Sequence, residues 1–350
     1  MSALPMAGAP AATNTIGLTK HDYRGAPTTL CAGCGHNSIS NQIVAAMYEL
    51  NVLPENVVKF SGIGCSSKSP TYFMNRSFGF NSLHGRMPSI ATGALFGDHT
   101  LKGIGVSGDG DSASIGMGQF KHVMRRNLNM VYIVENNGVY GLTKGQFSAT
   151  AEVGLELKRQ GVNPYMPIDI CMEAIISNAT FIARSFAGNA KQVKELVKAA
   201  FSHRGIAVLD IISPCVTFNN ADSAHHSYAW GRDHEEPLHD LTYIAPREEI
   251  MLDKELEEGE VREVTMHDGS IILLKNLDKG YDPTNRFEAV RALEEAQRNN
   301  WLITGLIYKA PEKSSLVDSY NLVDTPLNRL TESDLRPTPE MINKVNALMF

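Results

Sequence analysis

"GVSGDGDSASIGMGQF", Gly105 to Phe120, and "VYIVENNGVYGLTKGQ", Val131 to Gln146, carry most of the information on architecture. In the first, the strand-like run Gly103–Ser107 enters Gly108-Asp109-Gly110 and continues into a helical stretch, Ser112–Arg126. A glycine-rich turn between a strand and a helix is where α/β sheets bind ligands. In the second, the strand-like run Met130–Glu135 ends in Asn136-Asn137. Asn137 follows Asp109 by 28 residues, one helix plus one strand, so both fall at the carboxyl ends of neighbouring parallel strands. Mg²⁺ takes octahedral oxygen ligands, few of them carboxylates, and completes its shell with phosphate oxygens and water. An Asp, an Asn amide and a nearby carbonyl therefore suit a Mg²⁺ that holds a diphosphate, with glycines admitting backbone N–H groups to it.

Working outward, apolar runs alternate with amphipathic stretches from about Pro27 to Ser213, the rhythm of a parallel sheet with helices on both faces. Further strands are expected at Val57–Gly62 and Ala207–Ile212, and further helices at Asn37–Leu50, Pro88–Phe96, Ile168–Asn178 and Ala190–His203. Past Ser213 the stretch "TFNNADSAHHSYAWGRDHEEPLHD" is polar and without period, which reads as an exposed arm, the His225–His226 pair included. Beyond it, "REVTMHDGSIILLK" reads as a hairpin about Asp268-Gly269, and Arg286–Asn299 as a helix. The expected organisation is a flexible leader, 1–20, a cofactor domain, 21–216, and an extension, 217–350.

The chain has 350 residues, 43% of them apolar, and a net charge of −6, enough for a large core and unlike a nucleic-acid-binding surface. The stretch "MSALPMAGAPAATNTIGL" lacks the basic region and continuous apolar run of a signal peptide, and no window reaches the roughly 18 apolar residues of a membrane span. A cytoplasmic location is expected. There structural disulfides are rare, so the Cys31–Cys34 pair in "TTLCAGCGHNSIS" points to metal or redox chemistry. Cys65, in the turn "GIGCSSK", and Cys215, after the last expected strand, extend the set to four. Cys171 lies in an apolar helix and reads as a buried hydrophobe. Spacing alone fits a zinc site as well as an iron–sulfur cluster.

The ordered segments "CAGCGH", "GIGCSSK", "LHGRMPSIATG", "GDGD" and "NNGVYGLTKGQ", from Tyr23 to Trp230, resemble the β subunit of the 2-oxoacid:ferredoxin oxidoreductases. The chain departs from that pattern at Leu30, Cys31 and Ala32, where the family commonly has Trp and then Cys-Pro. The resemblance implies a thiamine-diphosphate-binding α/β fold, with Asp109, Asn137 and the Val139 carbonyl holding Mg²⁺. It implies that Ile63, Gly64, Cys65, Ser66, His84, Gly108, Gly110, Asp111, Asn137, Gly141 and Leu142 bind the cofactor. Cys31, Cys34, Cys65 and Cys215 match the family's [4Fe–4S] ligands in order.

A 2-oxoacid is an anion, so cations should border its site, and Lys68, His84, Arg86 and Lys144 all lie in the matching segments. Lys68, His84 and Lys144 are the catalytic candidates; Lys144 offers a charge for the distal carboxylate of 2-oxoglutarate, with pyruvate as the alternative substrate. The resemblance further implies a larger α subunit that supplies the glutamate for the aminopyrimidine ring, in a dimer of heterodimers. CoA is then the acyl acceptor and ferredoxin the electron acceptor. Two other readings are a non-oxidative thiamine diphosphate lyase with a structural zinc and a non-catalytic scaffold. Against the first stands the lack of an aminopyrimidine domain, and against the second the Asp109/Asn137 pair.

Overall fold

The computed structural model describes residues 12–239, 261–265, 271–275, 280–311 and 313–349. In chain order its elements begin with α1 (Gly35–Glu49), β1 (Val57–Ser61), β2 (Phe78–Asn81), α2 (Met87–Gly97) and β3 (Lys102–Gly108). A π-helical turn (Gly110–Ile115) leads into α3 (Met117–Arg126) and β4 (Met130–Asn136). Two small hairpins follow, β5 (Val139–Tyr140) with β6 (Gln146–Phe147) and β7 (Glu156–Leu157) with β8 (Gly161–Val162). The chain continues through α4 (Ile170–Ile176), β9 (Phe181–Phe186), α5 (Ala190–Ser202), β10 (Ile206–Ile212), α6 (Tyr228–His234) and β11 (Glu235–Pro237). Then come β12 (Val261–Thr265), β13 (Ile271–Lys275), α7 (Arg286–Asn299), β14 (Leu302–Lys309), α8 (Leu316–Tyr320), α9 (Glu332–Leu335) and α10 (Pro339–Met349).

Eight strands form one sheet in the order β11-β14-β9-β10-β4-β3-β1-β2, parallel throughout except where β14 meets β9. Because β4 lies in the middle, every residue of "MVYIVEN" is buried, and the two-residue period splits the strand between two cores. Met130, Tyr132 and Val134 pack with α2, α3, α4 and α7, whereas Val131 and Ile133 pack with α1 and α5. Each such side chain contributes about 1.5–3 kcal/mol by leaving water, which makes the sheet a rigid platform for the loops at its carboxyl edge.

The expected strands and helices of the first 213 residues are present, with shifted ends. The helix expected from Ser112 is interrupted: the π-turn comes first, and α3 starts only at Met117. The strands β2 and β9 were not legible as strands, the first because "FGFN" is short and exposed on the sheet edge. Residues 12–20 are not a loose leader, since Asn14 Nδ2 donates to Tyr23 OH at 2.9 Å and to the Tyr48 carbonyl at 3.1 Å. Nor is the segment after Ser213 an exposed arm: His226, Ser227 and Trp230 are buried, and β11 and β14 join the main sheet. The hairpin strands β12 and β13 pair as expected; their turn, with Asp268 and Gly269, lies outside the described residues. No helix among the described residues is long and apolar enough to cross a membrane.

Candidate active site

At the carboxyl edge of β1, β3 and β4 lies a cleft with about 480 Å³ of open space. Its walls include Ile63, Gly64, Cys65 and Ser66 after β1, His84 before α2, and Gly108–Asp111 after β3. Asn137, Val139, Gly141 and Leu142 close it from the β4 side. Every residue expected to bind cofactor or Mg²⁺ therefore faces one cleft.

Asp109 is 1% exposed, and each oxygen of its carboxylate is used. Oδ1 accepts from the Asn137 N–H at 3.2 Å, and Oδ2 accepts from Thr150 Oγ1 at 2.8 Å and from the Ser148 hydroxyl. The Asn137 side chain accepts from the Val139 N–H at 3.1 Å, so Asp109, Asn137 and Val139 form one hydrogen-bonded group of oxygen donors. Such a set suits Mg²⁺. Close approach is built in by glycine: a Cβ on Gly110 would stand 2.4 Å from the Tyr140 ring, whose hydroxyl donates to the Gly110 carbonyl at 3.0 Å.

Asp111 braces the cleft from within. Its carboxylate accepts from Ser107 Oγ at 2.5 Å, the Ile63 N–H at 3.2 Å and the Gly85 N–H at 2.7 Å, with His84 Nδ1 at 2.5 Å. Three chain segments are thus tied to one buried charge. A Cβ on Gly62 would fall 1.8 Å from Asp111 Oδ2, which makes that glycine obligatory.

Of the three catalytic candidates, His84 lines the cleft, its ring centroid 6.0 Å from that of Tyr140. Lys68 is half-buried on the turn after Cys65, whose thiol is raised by burial and by Cys215, with the Lys68 charge a smaller, opposing effect. Lys144 is exposed, in a left-handed conformation with φ 76°, and its side chain lines a neighbouring cavity rather than the cleft. Arg86 is exposed at the start of α2.

The four candidate cluster cysteines converge beside the cleft. A Cβ on Gly141 would stand 3.5 Å from Cys65 Sγ and 3.7 Å from Cys215 Sγ. Thr217 Oγ1 lies 3.9 Å from Cys31 Sγ, and the Gly35 N–H donates to the Pro214 carbonyl at 3.4 Å, which ties the backbone next to Cys34 to the backbone next to Cys215. Burial, with smaller effects from the charges of Glu135, Cys215 and Cys65, pushes the Cys34 thiol up to about 12. Among the described residues no three His, Cys, Asp or Glu side chains close to metal-holding distance. Cys171, by contrast, is fully buried between α4 and the sheet.

Several residues of the site were not singled out in the sequence. Glu135 and His36 line the deep end of the cleft, fully buried, with His36 Nδ1 at 3.6 Å from Glu135 Oε2 and 2.6 Å from Ser213 Oγ. Burial raises the Glu135 carboxyl well above its ordinary range, against the Ser69 hydroxyl, and lowers His36 to about 4. A charged residue inside the otherwise apolar "MVYIV" strand was the available signal for Glu135. His226 was read with the exposed arm; instead it packs under Gly138, where an added Cβ would come within 3.1 Å of the imidazole.

Residues 62–211 match the family model "Thiamine pyrophosphate enzyme, C-terminal TPP binding domain". The "2-oxoglutarate synthase subunit KorB" of Methanocaldococcus jannaschii is 36% identical over 196 residues, which cover 55% of this chain and 71% of that one. The chain belongs to the β subunits of the 2-oxoacid:ferredoxin oxidoreductases. A family member from a Sulfolobus species is 44% identical over 197 residues, 55% of this chain and 64% of the relative's length. A solved 2-oxoglutarate:ferredoxin oxidoreductase from Magnetococcus marinus, with 2-oxoglutarate, coenzyme A and succinyl-CoA bound, superposes with a TM-score of 0.72 at 30% identity. That match covers 95% of this chain and 96% of the family member's. The thiamine-diphosphate fold expected from the sequence is therefore the fold observed, and the chain is an oxidoreductase subunit.

Proposed function

We propose that the chain is the β subunit of a 2-oxoglutarate:ferredoxin oxidoreductase, which converts 2-oxoglutarate and CoA into succinyl-CoA and CO₂ and delivers two electrons to ferredoxin. The observation that carries this reading is the shared turn: Cys65, beside the cysteine group, lies between Gly64 and Ser66 in the wall of the cleft that Asp109 and Asn137 complete. Carbon chemistry and electron removal then occur within one loop of each other.

In this reading Asp109, Asn137 and the Val139 carbonyl hold Mg²⁺, and Gly108 and Gly110 let the diphosphate approach the backbone. Cys31, Cys34, Cys65 and Cys215 hold a [4Fe–4S] cluster, for which four free thiols, here from three segments of the chain, are the required donors. When bound, thiamine diphosphate supplies a carbanion equivalent at the 2-oxo carbon and the cluster a one-electron acceptor. His84, fixed by Asp111, offers its exposed edge to the substrate, and Lys68 adds positive charge on the Cys65 turn. A larger α subunit completes the cleft, and the described residues beyond 217 serve its docking. The reducing cytoplasm is the compartment in which unpaired thiols of this kind persist.

The substrate is supported by relatives whose names specify 2-oxoglutarate. Pyruvate is the second reading, and the placement of Lys144 outside the cleft lining favours it. The decisive experiment is anaerobic co-purification of the chain with its α subunit, followed by iron and sulfide analysis and 2-oxoacid-dependent viologen reduction. Four irons per chain and CoA-dependent reduction with 2-oxoglutarate support the proposal; a colourless protein with one zinc refutes it.

A further inference from the structure

The hairpin of β7 and β8 carries Lys158 and Arg159 at its tip, and both side chains converge with Lys144 on a surface cavity having about 570 Å³ of open space. The other walls are Gly145, Leu157 and Phe218. Lys144, Lys158 and Arg159 are exposed, and none of their side chains makes a hydrogen bond or ion pair among the described residues. Three unpaired cations on one cavity are costly to hold together unless an anion answers them. In a chain of net charge −6, this concentration runs against the overall field.

The backbone around the cavity is fixed. The Gln160 N–H closes the hairpin onto the Leu157 carbonyl at 2.9 Å, and the Asn163 side chain clamps its base to the Ala151 carbonyl at 2.9 Å. Gly145, with φ 87°, presses against Phe218, whose N–H donates to the Cys215 carbonyl at 3.2 Å. The Lys144 N–H donates to the Gly141 carbonyl at 3.1 Å, and Gly141 is the residue that faces Cys65 and Cys215. The same two segments, 141–145 and 215–218, thus form one wall of the cavity and one side of the cysteine group. Around it Leu142, Val162 and Val216 are exposed, and Cys31 itself is exposed.

We infer that this face is the docking surface for the electron acceptor, a small protein with an acidic patch, and that Lys158 and Arg159 recruit it. The inference rests on the functional reading above, since the cysteine group must carry electrons for such a surface to serve. Charge complementarity selects the partner: short-lived redox encounters bury little area and depend on opposite charges for their rate of formation. A few exposed apolar side chains ringed by cations give such a contact its centre. A cluster held by these cysteines would supply one electron to the acceptor at each encounter, with no bond made or broken.

The test uses the complex of this chain with its α subunit and an acidic [4Fe–4S] ferredoxin, with binding measured by interferometry over a range of salt concentrations. The double variant Lys158→Glu, Arg159→Glu should raise the Kd at least tenfold and flatten the salt dependence, while iron content and viologen reduction remain at the parental level. Equal Kd and equal salt slope in parent and variant overturn the inference, even where 2-oxoacid oxidation is intact. Weakened CoA binding with unchanged ferredoxin binding overturns it as well, because the cations would then serve a phosphate-bearing ligand. Conversely, salt-dependent ferredoxin binding that the double variant abolishes upholds the surface even if the parent complex oxidises no 2-oxoacid, an outcome that removes only the functional reading.

Discussion

His226 Nδ1 lies 3.3 Å from Glu152 Oε2, and its Nε2 lies 3.2 Å from Asn136 Oδ1, so one buried imidazole joins the loop after β6 to the end of β4. Thr150 Oγ1 stands between Asn136 and Asp109, 2.9 Å from Asn136 Oδ1 and 2.8 Å from Asp109 Oδ2. The candidate Mg²⁺ ligands are therefore held from behind by a histidine more than 80 residues further along the chain. His226→Ala should weaken Mg²⁺-dependent thiamine diphosphate binding about tenfold, the loss of roughly 1–1.5 kcal/mol expected for one buried hydrogen-bonded contact. Fluorescence titration measures it, with Asp109→Ala as the variant that abolishes binding. An unchanged Kd beside a lower Tm would reduce His226 to a packing residue.

Glu152 gives the fold an acid limit. Burial disfavours its charge, yet the hydrogen bond and charge of His226, a backbone N–H and the charge of His225 bring the carboxyl from 4.5 down to about 2. A carboxyl lowered on folding contributes stability that is complete above its unfolded value and is lost as the pH falls toward the folded one. Stability should therefore decline between pH 4.5 and 2 with a slope contribution of up to about 1.4 kcal/mol per pH unit. Urea unfolding across that window should show Glu152→Gln with a flatter acid limb than the parent.

Gly62→Ala should cost about 1–3 kcal/mol, because overpacking at the sheet end displaces the Asp111 carboxylate 1.8 Å from the new Cβ. Gly93→Ala is the contrasting case. It lies within α2 with nothing within 4 Å of the added Cβ, so it should stabilise by about 0.5–1 kcal/mol. Thermal melts of both variants separate close approach from simple glycine flexibility.

Cys215→Ala should lose iron as severely as Cys31→Ala, whereas Cys171→Ala should retain it, since Cys171 sits in the core and faces none of the other sulfurs. Iron analysis of anaerobically purified variants decides this. Uniform loss in all five would indicate misfolding instead.

Lys144→Ala should change kcat/KM on 2-oxoglutarate and on pyruvate by less than about threefold, because its side chain lines the neighbouring cavity and not the cleft. A selective loss of about 30-fold or more on 2-oxoglutarate in viologen-reduction assays would instead bring Lys144 to the distal carboxylate, the effect of losing a charge pair worth roughly 2–4 kcal/mol.

The sheet core and the Asp109/Asn137 pair were readable because both obey local rules: period-two burial along strands, and a ligand turn at a strand end. The same holds for Arg286–Asn299, which the structure places at those residues as α7. Long-range burial was not readable. Polar spacing around His225 and His226 suggests solvent exposure, whereas the chain folds back so that Glu152 and Asn136 satisfy His226 inside the protein. The strand β9 escaped notice because "FIARSF" has Arg184 in its middle, and only the fold supplies the partners, Asp210 at 2.9 Å and Asp169 at 2.8 Å, that let a guanidinium lie there. Lys144 sits in the expected motif, yet the left-handed turn at that residue carries its side chain to another face.

The strand β14 has a further consequence, for how the protein is handled. It occupies the outer side of β9, a strand whose six residues are all buried. Without it, β9 would present a bare row of N–H and C=O groups flanked by apolar side chains, a ready template for another chain to pair with. The region after residue 217 therefore acts as a stopper on the growing sheet, so an expression fragment ending just after β10 should accumulate as aggregates or inclusion bodies, however well it preserves the cofactor motifs.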